Sequence, residues 1–233
     1  MNLTDASMVG LVAVMAAHIG RWVARSSRPL AVGVLGARAL WLAVTAGLAN
    51  AGVLSAWTAR PPRVPLLAVA ALGAALLLGR TATFRGMVDD TPRSWPILAQ
   101  TFRVPVELIL FGLYASGRAP AQVTFEGRNL DILVGLTAPL VAWGVSRERA
   151  GAALAVGWNV LGLAVLANTV VTVVTSTPGP LHLDWPGAPF TAIATWPMVW
   201  LPAFLAPLAV FLHAVSLQQS ASALRRAAAR HAS

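Results

Sequence analysis

Gly151-Ala-Ala-Leu-Ala-Val-Gly-Trp-Asn-Val-Leu-Gly-Leu-Ala-Val-Leu-Ala-Asn-Thr-Val-Val-Thr-Val-Val174 runs for 24 residues without one charged side chain. At about 1.5 Å of helix rise per residue it would extend roughly 36 Å, enough to cross the ~30 Å hydrocarbon core of a bilayer. The stretch has no period-two alternation, so it does not read as a strand of a membrane barrel. Lipid offers no partner to open backbone groups, which leaves a spanning helix. Six further apolar stretches resemble it, at residues 6–23, 35–57, 64–79, 97–116, 130–145 and 192–217. The third is short, but Arg63 and Arg80 bracket it and their stems can snorkel to the two interfaces. The expected fold is all-α: a polytopic transmembrane bundle of about seven spans, one domain over residues 1–233, with a basic cytoplasmic tail at 218–233.

Composition supports that reading and removes several chemistries. Hydrophobic residues make up 57% of the 233 and charged residues 11%, against about a quarter charged in a soluble domain. All 17 basic residues are arginine. Without a lysine amine there is no Schiff-base chemistry. Without cysteine there are no disulfides, thiolate nucleophiles or Cys-bound metals. The net charge of +9 would suggest nucleic acid in a soluble protein. Here the arginines stand singly or in small groups between apolar runs and no nucleic-acid motif accompanies them, so no nucleic-acid partner is expected.

Orientation follows from where those arginines fall. No basic segment precedes the first apolar run, which argues against a cleaved signal peptide and for a translocated N-terminus. With the N-terminus outside, twelve arginines (Arg38 among them, read as a residue of the first inner segment) lie inside and four outside. That bias predicts N-out, C-in.

The fourth stretch carries charge in its middle: Gln100-Thr-Phe-Arg-Val-Pro-Val-Glu107. Arg103 and Glu107 are four residues apart, share a helix face and are expected to pair, with Gln100 one turn below. Charges at that depth face a bundle interior or cavity and mark functional sites by default; the structural alternative is a pair that only fixes helix packing. Pro105 cannot donate to the Thr101 carbonyl, so a kink is expected there. A second cluster, Thr124-Phe-Glu-Gly-Arg-Asn-Leu-Asp131, stands at the outer start of the fifth span. Asn129 can cap that helix with Asp131 in its first turn; the sharper reading makes Glu126 and Asp131 an acidic mouth leading toward Glu107. Roughly 15 Å of helix rise separates the two clusters, so a water-lined path is expected to join them and a direct side-chain bond is not.

The other polar residues are scattered. Asn50, Asn159, Thr169 and Thr172 read as interhelical hydrogen bonds, with Asn168 the exception expected to line a cavity. His18 and His213 lie near the inner ends of the first and last spans, where two facing histidines could hold a haem or a metal; polar anchoring is the plainer role, and no cofactor is expected. Pro197, Pro202 and Pro207 suggest a bent or interrupted last span.

At Gln100–Glu107 and Thr124–Gly135 the chain resembles a group of uncharacterised bacterial multi-pass membrane proteins. The resemblance covers under a fifth of the chain and implies a bacterial inner-membrane protein whose signature residues are Gln100, Arg103, Glu107, Glu126, Arg128, Asn129 and Asp131. It implies no activity. The residues themselves favour a small-molecule or ion transporter or channel, with Glu107 protonatable and Arg103 its partner. A ligand-binding sensor or scaffold without flux is the first alternative, and an enzyme on a lipid or isoprenoid substrate through Glu126 and Asp131 the second. The expected partners are the bilayer and a small ligand, with self-association left open.

Overall fold

A computed structural model describes residues 2–147 and 151–231; Arg149, counted above on the inner side, lies outside them. Every regular element among the described residues is helical. Asn2 caps the first helix, its side-chain oxygen accepting from the Asp5 N–H at 2.9 Å, and α1 then runs Leu3–Ala24. Three residues later Ser27 caps α2 (Arg28–Asn50), whose first turn holds Pro29, a residue suited to a position where the N–H has no helical partner. Gly52, at φ +70°, turns the chain away.

This moves the second span seven residues from the expected 35–57. Arg38, counted with the first inner segment although it falls within the expected 35–57, is the eleventh residue of a 23-residue apolar helix.

The helix α3 (Arg63–Gly79) bends by 78° into α4 (Ala82–Asp89), which Thr81 caps. Phe84, Met87 and Val88 are buried while Arg85 is exposed, so α4 lies across the arginine-rich end of the bundle. The fourth span comprises α5 (Ser94–Ala99), a 3₁₀ turn (Gln100–Phe102) and α6 (Arg103–Ala115). The break expected from Pro105 therefore takes the form of a tightened turn just before α6.

The next helix does not start at the bundle end where α6 finishes. Asp131, the first residue of α7 (Asp131–Ser146), touches Arg103, the first residue of α6. Since α6 rises roughly 18 Å, residues 116–130 must descend alongside its second half, and Phe125 stacks on Phe111 as they do so. After α8 (Ala152–Ser176) the last span begins with a 3₁₀ turn (Ala192–Ala194) and further turns, passes through a π-helical turn (Leu201–Leu205) and becomes α-helical only in α9 (Ala206–His231). The helix continues into the expected basic tail as far as His231, and residues 232–233 lie outside the described residues.

Among the described residues five helices are long and apolar enough to cross a membrane, or six if the bent pair counts as one span; α7, with 16 residues, is shorter. The last span is the axis of the bundle. Two-thirds of its most apolar window is buried, against 11% for α2, which lies on the periphery. Met8, Val12 and Met15 of α1, Val106 and Leu110 of α6 and Leu208 and Leu212 of α9 supply part of the shared core.

Candidate functional site

The site forms where the starts of α6 and α7 meet. A Cβ on Gly135 would come within 2.9 Å of the Val104 backbone nitrogen, so only glycine lets α7 approach α6 this closely. That approach brings the Asp131 carboxylate to the Arg103 guanidinium. Nε donates to Oδ2 at 2.7 Å and Nη2 lies 2.5 Å from Oδ1. The planar fork matches a carboxylate face on, and both side chains are buried, at 1% and 6% exposure. The expected Arg103–Glu107 pair does not form, because the returning loop offers Arg103 a bidentate partner that a residue one turn along its own helix does not match.

Glu107 turns to Asn129 instead. Asn129 Nδ2 donates to Glu107 Oε1 at 2.6 Å and to the Val123 carbonyl at 3.1 Å. Its Oδ1 accepts from the Asp131 N–H at 3.0 Å and from the Thr169 hydroxyl at 2.7 Å. The asparagine accepts from the first N–H of α7, although Leu130 and not Asn129 stands at the N-cap, and it also bridges the two polar clusters directly. The bond judged out of reach exists because residues 116–130 descend into the bundle. Glu107 Oε2 is buried without a hydrogen-bond partner.

Behind Arg103 the network continues into α9 and α8. Arg103 Nη1 approaches His213 Nε2 at 3.2 Å, and His213 Nδ1 lies 2.8 Å from Asn159 Oδ1. The Asn159 amide nitrogen is committed to the Ala155 carbonyl and to Ser216 Oγ. Oδ1 must therefore accept, so Nδ1 of His213 carries the proton and Nε2 accepts from the arginine. Gly162 makes room for the ring: a Cβ there would stand 2.5 Å from His213 Cε1. With both nitrogens engaged, His213 has no lone pair to offer a haem or metal. His18 stacks on Trp95 at 5.3 Å. Among the described residues no three His, Asp or Glu side chains group in a metal-binding arrangement.

Arg103, Glu107, Asp131 and Thr169 line one wall of a cavity of about 210 Å³, whose other walls are apolar and come from α3, α8 and the broken segment of the last span. Val69 of α3 and Val170 of α8 line it and are still 66% and 42% exposed. The cavity therefore opens sideways between α3 and α8. Toward the N-terminal end of the bundle it is covered: residues 178–181 pack on the segment around Trp57, leaving a gap of about 20 Å³. Gly179, at φ +119°, sits so close there that a Cβ would meet the Trp57 carbonyl oxygen at 2.6 Å.

Other expected site residues lie elsewhere. Glu126 and Arg128 are exposed, and the Arg128 guanidinium lies over Trp185. The acidic mouth of Glu126 and Asp131 is not assembled, since Asp131 is drawn inward by Arg103. Asn168 is exposed and donates to the Arg128 carbonyl at 2.8 Å; its neighbour Thr169 is the residue that faces the cavity. Gln100 is fully buried and ties the 3₁₀ turn to α9 through the Ala209 carbonyl. Asn159 and Thr169, read from the sequence as interhelical hydrogen bonds, do bond other elements, at Ser216 and Asn129; that they join this network, the part of Ser216 and the arginine-binding role of His213 were not expected. Their signal is faint, being single polar residues on long apolar helices.

The sequence pattern that defines a domain of unknown function (DUF8737) matches residues 61–219. The whole network from Arg103 to Ser216 falls within that match. No curated protein and no solved structure matches the chain.

Proposed function

The chain belongs to the DUF8737 family, and we propose that it is a seven-span bacterial inner-membrane protein, N-out and C-in, that carries a small amphiphilic molecule through proton exchange at Glu107. In this reading the bent α3–α4 pair is one span and the short α7, starting at mid-depth, is another. The ion pair between Asp5 and Arg118, at 2.9 Å, supports placing the N-terminus and the α6–α7 loop on one side. Trp22 and Gln219 both bond Thr91 near the other end of the bundle, which agrees with that alternation.

The observation that carries the proposal is the unequal state of the two carboxyl groups in the cavity. Asp131 is ion-paired with Arg103 through both oxygens, one accepting from Nε and the other 2.5 Å from Nη2, whereas Glu107 has one oxygen on Asn129 and the other, among the described residues, in neither a hydrogen bond nor an ion pair. Glu107 is the acid left to meet a ligand's donor or cationic head, with the ligand's apolar part against α3 and α8. A lateral opening suits a molecule that dissolves in lipid. A last span broken by a π turn supports carriage, because interrupted helices line the moving sites of many transporters.

Binding without flux is the second reading, favoured by the cover of residues 178–181 over the cavity. An enzyme working through Glu126 and Asp131 draws no support from their placement, one exposed and one ion-paired.

The test is reconstitution in liposomes containing a pH dye, with lipophilic amines of graded size added outside. The proposal expects amine-dependent proton movement in the wild type and its loss in Glu107→Gln, which keeps the Asn129 bond. Movement unchanged by Glu107→Gln would sink it; saturable binding with no movement would establish the sensor reading.

A further inference from the structure

Arg38 has no counterpart in the site above. It lies roughly 15–18 Å from either end of α2, half-buried, and its guanidinium sits over the Phe204 ring at 4.3 Å. It has neither an ion-pair nor a hydrogen-bond partner among the described residues, and its Nε is buried. A guanidinium at that depth is costly unless something answers its charge, and a face-on aromatic ring answers only part of it.

The groove it faces is built to hold a chain. The two helices α2 and α3 lean on α1 and on the last span rather than on each other. Between them is a space of about 430 Å³, within the range of ligand sites. Its wall on α3 is small and smooth (Ala70, Ala71, Ala74, Ala75), and Arg38 is the charged residue in an otherwise apolar lining. Ala37 and Leu78 line it and are exposed, so it too opens sideways. A Cβ added at Gly33, on the same wall as Arg38, would meet nothing within 4 Å. The helix therefore has no packing need for glycine there, and the open space belongs to the groove.

We infer that this groove binds a single-tailed anionic lipid drawn from the surrounding bilayer, with its carboxylate on Arg38 and its hydrocarbon tail along the alanine wall of α3. The head must be an oxyanion because the one polar group presented is a planar, always-charged fork. One tail is favoured because the space is only about 430 Å³ and the depth of Arg38 would bury a large headgroup. The π turn divides this groove from the Glu107 cavity: Ala203 and Phe204 face Arg38, whereas Leu201, Pro202 and Leu205 face the other side. The inference does not rest on the function proposed for Glu107.

The full chain in phosphatidylcholine vesicles would be photolabelled with palmitate bearing a terminal diazirine and the adducts mapped. Saturable labelling of α2 and α3 around residues 30–41 and 70–78 is expected, competed by palmitate and not by methyl palmitate. Labelling should fall about tenfold or more in Arg38→Gln, as loss of a charge-assisted bond implies, and also in Gly33→Leu, which fills the groove. Arg38→Lys should retain part of it. Labelling spread over all lipid-facing helices, or competition by methyl palmitate as strong as by palmitate, overturns the inference on wild-type protein alone. Stronger competition by phosphatidylglycerol than by palmitate overturns the single-tailed assignment.

Discussion

Removing the Arg103 guanidinium strands the Asp131 carboxylate at 5% exposure. Breaking one side of a buried pair typically costs about 3–5 kcal/mol, whereas replacing both members can be nearly neutral. Arg103→Gln should therefore lower the unfolding transition of the detergent-solubilised protein sharply, and adding Asp131→Asn should restore most of it. A double variant as unstable as the single one would show that the pair is not the unit that matters. Glu107→Gln should stay within about 1 kcal/mol of wild type, because the substituted amide can still accept from Asn129. At this scale the sequence marked Arg103 and Glu107 as charges at depth, but not Asp131 and not who meets whom. Spacing along one helix pointed to Arg103 and Glu107; the actual partner lies 28 positions away, across a loop whose path no local pattern encodes.

Two close approaches hold the elements in place, Gly135 of α7 on α6 and Gly162 of α8 under His213. Gly162→Ala should displace the imidazole and cost about 1–3 kcal/mol through overpacking. Gly36→Ala faces open space and should be neutral or stabilising by up to about 1 kcal/mol. Urea or thermal unfolding of the two variants side by side checks the contrast, and equal effects would contradict the geometry. The seven apolar stretches were legible as helices because 20-residue hydrophobic runs have one structural outcome in lipid. Their ends were less so. The start of α2 was set seven residues late, at 35, because Ser27-Arg28-Pro29 reads as a loop as readily as a capped helix start. The broken last span was foreshadowed by its prolines. The descent of residues 116–130 was not, because turn-rich sequence marks a loop without saying how deep it goes.

For the whole molecule, the absence of cysteine makes topology directly measurable. Single cysteines at Glu126, on the chain between α6 and α7, and at Arg85 of α4, both exposed, should react differently with a membrane-impermeant maleimide. In intact cells Glu126→Cys should label and Arg85→Cys should label only after permeabilisation; the reverse pattern would invert the proposed orientation. The central claim is that Glu107, and not the ion-paired Asp131, is the acid that exchanges a proton in the lateral cavity. Infrared difference spectroscopy of the reconstituted protein across a pH step tests it most directly. Proton exchange at Glu107 predicts a carboxylic-acid carbonyl band that disappears in Glu107→Gln and survives in Asp131→Asn. A band that persists in Glu107→Gln, or vanishes only with Asp131, would contradict it.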